Sequence, residues 1–444
     1  MTGASASGTL LRMTHTQTTS ATGLAHRRRL ALGPGLLLAG AAIGVSHLVQ
    51  ATRAGADYGF ALFWILVLAI VSKYPALESG PRFAAATGEH LITGYRRTHP
   101  WMLGMYVLIT LGTMFIIQAA VTMVTAGLAE QLFGLGWSTT PWTAVILAVC
   151  ILLLLIGRYP ALDLSMKLII SLLTLLTFIA VLLAIGTAPW DRIQATPAPS
   201  YWHMAGLGFV IAFMGWMPIP LDASVWHSIW TKARSRQTHY PPSVSDSHFD
   251  FNVGYGAAAV IGVLFFLLGI LVMYGTGEQF APGAVAFSAQ IVELYSRTLG
   301  AWSAPLISVA AFVAMFSTTL AVTDIYPRVL AEVVSEWRPA RETTAPRRIH
   351  STRVYLGGLL IVPLVALGIV AFMSGRAFTV LIDFAAGLSF VTAPILAWFN
   401  LRVITGPQMP ASARPTKGYT WYHWSCLIFL VLLAGAWFYH RFWG

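Results

Sequence analysis

The chain is 444 residues long, 57% hydrophobic and only 10% charged, where a soluble domain carries about 25% charged residues. That composition excludes an ordinary soluble domain and defines an all-α integral membrane protein. Its formal charge of +11 reads as a signal of topology and not of a nucleic-acid partner. Cys150 and Cys426 both lie in apolar runs, so no disulfide framework is implied.

Residues 1–30 are rich in Ser and Thr and end in Arg27-Arg28-Arg29. A cleaved signal would carry its charge first and a cleavage site after its apolar stretch, so this segment reads as a disordered cytoplasmic tail before a retained helix. Eleven apolar spans follow, near 35–54, 58–78, 102–124, 141–157, 165–187, 203–229, 253–275, 302–323, 354–374, 378–400 and 420–439. Each can cross a hydrocarbon core of about 30 Å. With the N-terminus inside, 21 of the 27 Lys and Arg residues fall on inside segments. Five (Arg53, Arg192, Arg297, Arg376 and Arg441) fall outside, and Lys73 lies within a helix. Cationic loops resist translocation, so the bias predicts a cytoplasmic N-terminus and an external C-terminus.

Eleven divides as five, five and one. This predicts a first repeat over 31–200, an inverted second repeat over 201–404 and an extra helix within 405–444. In such proteins, matching helices of the two halves break where substrate binds. The first span carries Gly40 and then Gly44-Val45-Ser46-His47, and the sixth carries Gly215-Trp216-Met217-Pro218-Ile219-Pro220. Pro218 and Pro220 cannot donate to a helical ladder. The carbonyls they free need a ligand, an ion or water, because lipid offers no donor. Asp222, five residues past Met217, and Asp383 in the tenth span are candidates to face such a cavity. Asp324 has Arg328 one turn away as a possible partner. Lys73 lies inside the second span, where it is either a counter-ion to Asp222, Asp383 or the substrate, or snorkels toward Glu78. No Walker A loop, CxxC, paired His-x-x-x-His or nucleophile elbow is present, so neither an enzyme nor a cofactor is expected. The expected partners are a small cation or small molecule and the lipid bilayer, with no nucleic acid and no required protein partner.

Several stretches carry a family likeness. Gly33-Pro34-Gly35, Tyr58-Gly59-Phe60-Ala61-Leu62-Phe63-Trp64, Ala86-Thr87-Gly88-Glu89 and Met217-Pro218 match in order and spacing, and His227-Ser228 does so with a displacement of about three residues. In these the chain resembles the Nramp family of proton-coupled divalent-metal transporters. The resemblance implies a LeuT-type 5+5 inverted repeat with broken first and sixth helices, in the plasma membrane of a prokaryote.

The centre departs from the family pattern. Where the family reads Asp-Pro-Gly-Asn, this chain reads Gly44-Val45-Ser46-His47, so the metal-binding carboxylate is gone and an imidazole replaces the amide. Met217 inherits a ligand's place, whereas the following His of the family is Ile219. Gln118, near Val121-Thr122, stands where the family has acidic residues of its proton route. The resemblance thus gives Gly44, Ser46, His47, Met217 and Asp383 as substrate-binding candidates, with His47 and Met217 as metal ligands, and Asp222 joins them from its place just past the second break. Lys73, Gln118, His227 and Asp324 become candidates for coupling or charge pairing. The expected function is secondary transport of a metal or other cation through an altered site. A weakly coordinated cation such as Mg²⁺ would need fewer direct ligands. The alternative is a small organic solute, such as an amino acid or carboxylate, on the same scaffold.

Overall fold

A computed structural model describes residues 21–156, 160–337, 347–373 and 377–443. The first 20 residues of the expected tail lie outside the described residues, as do Arg12, Arg158, Arg338, Arg341 and Arg376 of the charge count. Every described regular element is helical, as a lipid-embedded chain requires when each backbone group must be satisfied within it. Eight stretches are long and apolar enough to span a membrane, and the helices over Ser171–Thr187 and Met204–Trp216 are shorter apolar ones.

The expected tail meets structure at Ala21, where α1 (Ala21–Ala31) begins. Arg27 on α1 pairs with Asp246 at 3.2 Å and donates to Tyr240 at 2.8 Å. The first span is three pieces: α2 (Pro34–Ala42), a π-helical turn (Ser46–Ala51) and α3 (Thr52–Tyr58). Next come α4 (Phe63–Thr87), α5 (Leu91–Thr98), α6 (Pro100–Phe133), α7 (Thr139–Ile156), α8 (Pro160–Thr187) and the short α9 (Trp190–Ala195). The sixth span is again divided, into α10 (Met204–Trp216) and α11 (Ala223–Thr238). Then follow α12 (Val244–Met273), α13 (Ala284–Leu299), α14 (Ser303–Trp337), α15 (Arg347–Phe372), α16 (Phe378–Thr405) and α17 (Lys417–Phe442).

The divided helices sit at the centre. α2 and α3 pack on α12, α10 packs on α16, α11 packs on α4, and α6 packs on α14. Several helices outrun their apolar stretches: α4 continues to Thr87, α11 to Thr238 and α14 to Trp337. Hydropathy marks only the lipid-facing length, whereas the backbone ladder continues into polar sequence. α13 escaped the sequence reading for a related reason. Only one of its faces is apolar, burying Phe287, Ile291, Leu294 and Tyr295, while Arg297 pairs with Glu278 and Glu293 on the other.

Candidate functional site

At the first break, α2 stops at Ala42 and the Gly44 amide turns back to Ala42 O at 2.7 Å. The amides of His47 and Leu48 both return to Gly44 O, at 3.1 and 3.0 Å, and the chain re-enters as the π-helical turn. A side chain at Gly44 has no room: its Cβ would lie 2.8 Å from Thr318 Oγ1, whose hydroxyl donates to Gly40 O at 3.1 Å.

The second break is longer. The Met217 amide closes α10 on Phe213 O at 3.0 Å, and Pro218 and Pro220 then withhold donors. α11 restarts as Ala223 N bonds Pro220 O at 3.1 Å and Ser224 N bonds Leu221 O at 3.0 Å. The two breaks meet through Ser46, whose Oγ lies 2.7 Å from Ala42 O, 2.8 Å from His47 Nδ1 and 3.3 Å from Pro218 O.

Lys73 answers the carbonyls that the second break frees. Its ammonium is fully buried and donates to Gly215 O at 2.8 Å and Ile219 O at 3.1 Å. The snorkelling alternative fails on this geometry, because Lys73 does not reach water. Glu78, its proposed partner there, accepts instead from Arg82, His248 and Tyr419. Asp222 lies within electrostatic reach of Lys73, but no ion pair within 4.0 Å joins them. Asp383 is bound elsewhere, accepting from Arg53 at 2.8 and 3.2 Å and from Gln50 at 3.0 Å.

His47 and Met217 come together, but against α12. A Cβ at Gly262 would lie 3.5 Å from His47 Cδ2 and would collide with the Met217 methyl group. His47 Nε2 lies 2.8 Å from Ala258 O, and a carbonyl can only accept, so Nε2 carries a hydrogen. Nδ1 faces Ser46, so neither ring nitrogen is turned to the space between the breaks. Gln118 donates to Thr122 and Thr323, both at 3.1 Å, and its Oε1 is buried without a partner. Asp324 pairs with Arg328 at 2.6 Å and accepts from Tyr355 at 2.7 Å. Among the described residues, no group of three or more His, Cys, Asp or Glu side chains could hold a metal.

The sequence reading missed Asp250. Its two oxygens accept from the amides of Gly33 and Gly35, at 2.8 and 2.7 Å, which fixes the start of α2. His227 Nε2 lies 3.3 Å from the same carboxylate, so His227 closes this clasp. The only sequence signal was an acidic residue just ahead of the seventh apolar run.

Between the breaks is a cavity of about 30 Å³, bounded by Ala42, Ser46, Trp216, Ile219 and Thr318 among others. That is space for one water-sized particle. A vestibule of about 1030 Å³ lies at one end of the bundle, lined by Glu89, Arg96, Arg97, Lys232 and Glu336 among others. This is the basic end. There Lys232 donates to Glu89 at 2.8 Å. Partial burial pushes the Glu89 carboxyl up, but the Lys232 bond and charge, with His90 and Arg97 nearby, outweigh it and hold the group below the usual carboxylate range. A second vestibule of about 780 Å³ at the far end contains Arg53, Asp57, Tyr58, Phe209, Asp383 and Trp437. A closed centre thus separates two open mouths.

Divided first and sixth helices around a closed centre define the LeuT-type class of membrane proteins. Two solved structures share the fold. The manganese transporter of Eremococcus coleocola, in complex with an aromatic bis-isothiourea compound, superposes with a TM-score of 0.67 at 17% identity, over 94% of this chain and 87% of that one. MhsT in complex with L-phenylalanine gives 0.62 at 14% identity, over 93% and 98%. The sequence matches the family described as Natural resistance-associated macrophage protein-like over residues 35–440. The chain belongs to the Nramp family. It is also 34% identical over 391 residues to the uncharacterised protein PM0681 of Pasteurella multocida (strain Pm70), covering 85% of this chain and 86% of that one.

Proposed function

We propose that this protein is a secondary transporter of a small cation, with its basic end in the cytoplasm of a prokaryotic plasma membrane. The repeats run over 31–200 and 201–404, followed by an extra helix. One observation carries the reading: the carbonyls freed at the second break already hold a cation, the Lys73 ammonium on Gly215 O and Ile219 O. A seat of carbonyl oxygens inside a low-dielectric bundle selects positive charge. The atom-sized cavity beside it suits an ion that has shed most of its water, and it is too small for an amino acid in this conformation. Transported cation and ammonium then take turns on the same oxygens, so Lys73 acts as placeholder and the helix break never stands empty.

This arrangement differs from a tight transition-metal site. Gly44 supplies no carboxylate, Thr318 blocks one from being added there, and the His47 nitrogens are engaged elsewhere. Two metal charges would lack compensation. The organic-solute reading keeps one observation in its favour, the roomy far-end vestibule with Tyr58, Phe209 and Trp437 around the Arg53–Asp383 pair. The test is uptake into proteoliposomes across a panel of monovalent cations, divalent metals and small solutes, with a pH gradient on and off. Uptake of a cation that is lost in Lys73→Met supports the proposal. Uptake of a neutral or anionic solute alone rejects it.

A further inference from the structure

Lys73 can hold the second break only if α4 delivers its ammonium to the right place, and α4 carries Pro75 and Pro81 inside it. Pro75 has no amide hydrogen. The carbonyl of Val71, four residues earlier, therefore loses its helical donor, and the proline ring presses against that same carbonyl. Lys73 sits in the turn between the two. The shape of this turn decides where its side chain can reach.

Two phenols from outside α4 close that turn. Tyr422 of α17 donates at 2.6 Å to Val71 O, the oxygen that Pro75 leaves without a helical donor. Cys426, one turn further along α17, lies 3.8 Å from the same oxygen. Tyr255 of α12 donates to Ile70 O, also at 2.6 Å. Its ring meets the Tyr74 ring edge-on at 5.5 Å between centroids, and Tyr74 donates to Asn252 of α12 at 2.7 Å. Beyond the kink, Asn400 of α16 donates to Ala76 O at 2.8 Å and to Ser224 of α11 at 2.9 Å. The turn that carries Lys73 is thus tied to α12 and α17, and the turn after it to α11, just past the second break.

We infer that Tyr422 and Tyr255 are positioning residues for Lys73: their hydrogen bonds to the Pro75 kink fix the path of α4, so that the ammonium meets the Gly215 and Ile219 oxygens. The kinetic consequence rests on the cation-transport reading above.

The chemistry of the seat makes position decisive. A carboxylate would draw an ammonium in from several ångströms away, because full charges attract over distance. Two neutral carbonyls hold it only through short, aligned hydrogen bonds, which weaken steeply as the angle closes. The lysine stem is flexible, so the backbone turn beneath it has to supply the aim. A water molecule could answer Val71 O, but it would not fix α4 to a neighbour. A phenol on a rigid ring does both. α17 lies at the edge of the bundle, with Trp421, Trp424 and Leu432 exposed, and it packs on α4. Through Tyr422 it acts on the centre without lining it.

Tyr422→Phe tests this by keeping the ring and removing one hydroxyl. The chain has four lysines, Lys73, Lys167, Lys232 and Lys417, so a magnetic-resonance spectrum of full-length protein, isotope-labelled at the lysine side-chain nitrogen and held in lipid nanodiscs, is simple to read. The Lys73 signal is the one lost in Lys73→Met. Tyr422→Phe and Tyr255→Phe should each displace or broaden it and leave the Lys232 signal unmoved. Either variant serves if the other fails to fold. In proteoliposomes, Tyr422→Phe should lower KM for the transported cation about fivefold, the worth of one hydrogen bond, and lower turnover as well. A loosened ammonium competes less for the oxygens and refills the break less readily, whereas general damage to the fold would raise KM. Pro75→Ala gives Val71 O a backbone donor, so Tyr422→Phe should have no further effect in that background. An unmoved Lys73 signal in folded Tyr422→Phe, or an equal effect of Tyr422→Phe with and without Pro75, overturns the inference. A displaced Lys73 signal in a protein whose wild type moves no cation sinks the transport proposal and leaves the positioning role standing.

Discussion

The two helix breaks solve the same problem with opposite means. Each frees backbone carbonyls inside a bundle where lipid offers no donors. The first break is short and uses neutral donors alone: its own amides of Gly44, His47 and Leu48, its own Ser46 hydroxyl, and the Thr318 hydroxyl of α14. The second spans Met217 to Asp222, carries two prolines, and depends on an ammonium brought in from α4. A break satisfied by neutral amides and hydroxyls is fixed with the fold. One satisfied by a single charged side chain can be released whenever that side chain is drawn away. The contrast assigns the fixed half of the centre to α2 and α3 and the movable half to α10 and α11.

The largest expected effect is at Lys73. Lys73→Met strips the Gly215 and Ile219 carbonyls of their donor, and each orphaned buried acceptor costs about 1–3 kcal/mol. Uptake should vanish while the protein still elutes as a folded species with a lowered unfolding temperature. Normal transport by this variant would erase the difference between the breaks. Next is Asp250→Ala, which releases the Gly33 and Gly35 amides that hold α2, a loss of about 1–3 kcal/mol. A cysteine placed at Ala42 should then label faster from the basic end. Unchanged labelling would mean that the first half is not held by this clasp. Ser46→Ala removes the hydroxyl between the breaks, and a loss of about 1 kcal/mol in thermal unfolding is expected.

Smaller still is Arg53→Gln at the far end. Its ion pair with Asp383 is partly exposed, and such pairs are worth about 0–1 kcal/mol and are screened by salt. The variant should open the far vestibule to thiol reagents in low salt, with the difference from wild type fading in high salt. The least effect is at Glu89. Its carboxyl is held below the usual range, so its contribution is present above the unfolded-state value and is lost as pH falls through the lower folded one. An acid titration of unfolding temperature should show a shallow decline in that window, which Glu89→Gln removes.

The sequence made the scaffold legible because bilayer physics writes strongly in apolar runs, basic loops and paired Gly/Pro interruptions. Both breaks fall where Gly44 and Pro218-Pro220 predict them, and the family likeness holds along residues 35–440. Side-chain partners were less readable. Lys73 was expected to seek a carboxylate, but it sits on carbonyls, because a break whose Gly215 lies 142 residues away in sequence supplies acceptors that no residue letter records. Asp383 looked central from its place in an apolar run, whereas it lies in the second turn of α16, within reach of Arg53. His47 looked like a ligand by residue type. Its partner, the carbonyl of Ala258, belongs to backbone 211 residues away and leaves no trace in composition. The clasp of Asp250 was hidden for the same reason, since its partners are two glycine amides.

The Ser46 hydroxyl poses a problem of counting. It owns one hydrogen and stands before three lone-pair bearers: Ala42 O, Pro218 O and His47 Nδ1. Given to Ala42, the hydrogen leaves the two breaks unlinked; given to Pro218, it sews them together; given to the imidazole, it serves neither. A second hydrogen arriving on Nδ1 would reverse the direction of that contact, make Ser46 the acceptor there, and free its own hydrogen for a carbonyl. The seam between the two halves of this molecule is therefore a matter of hydrogen inventory, in which one atom too few keeps the stitch undecided.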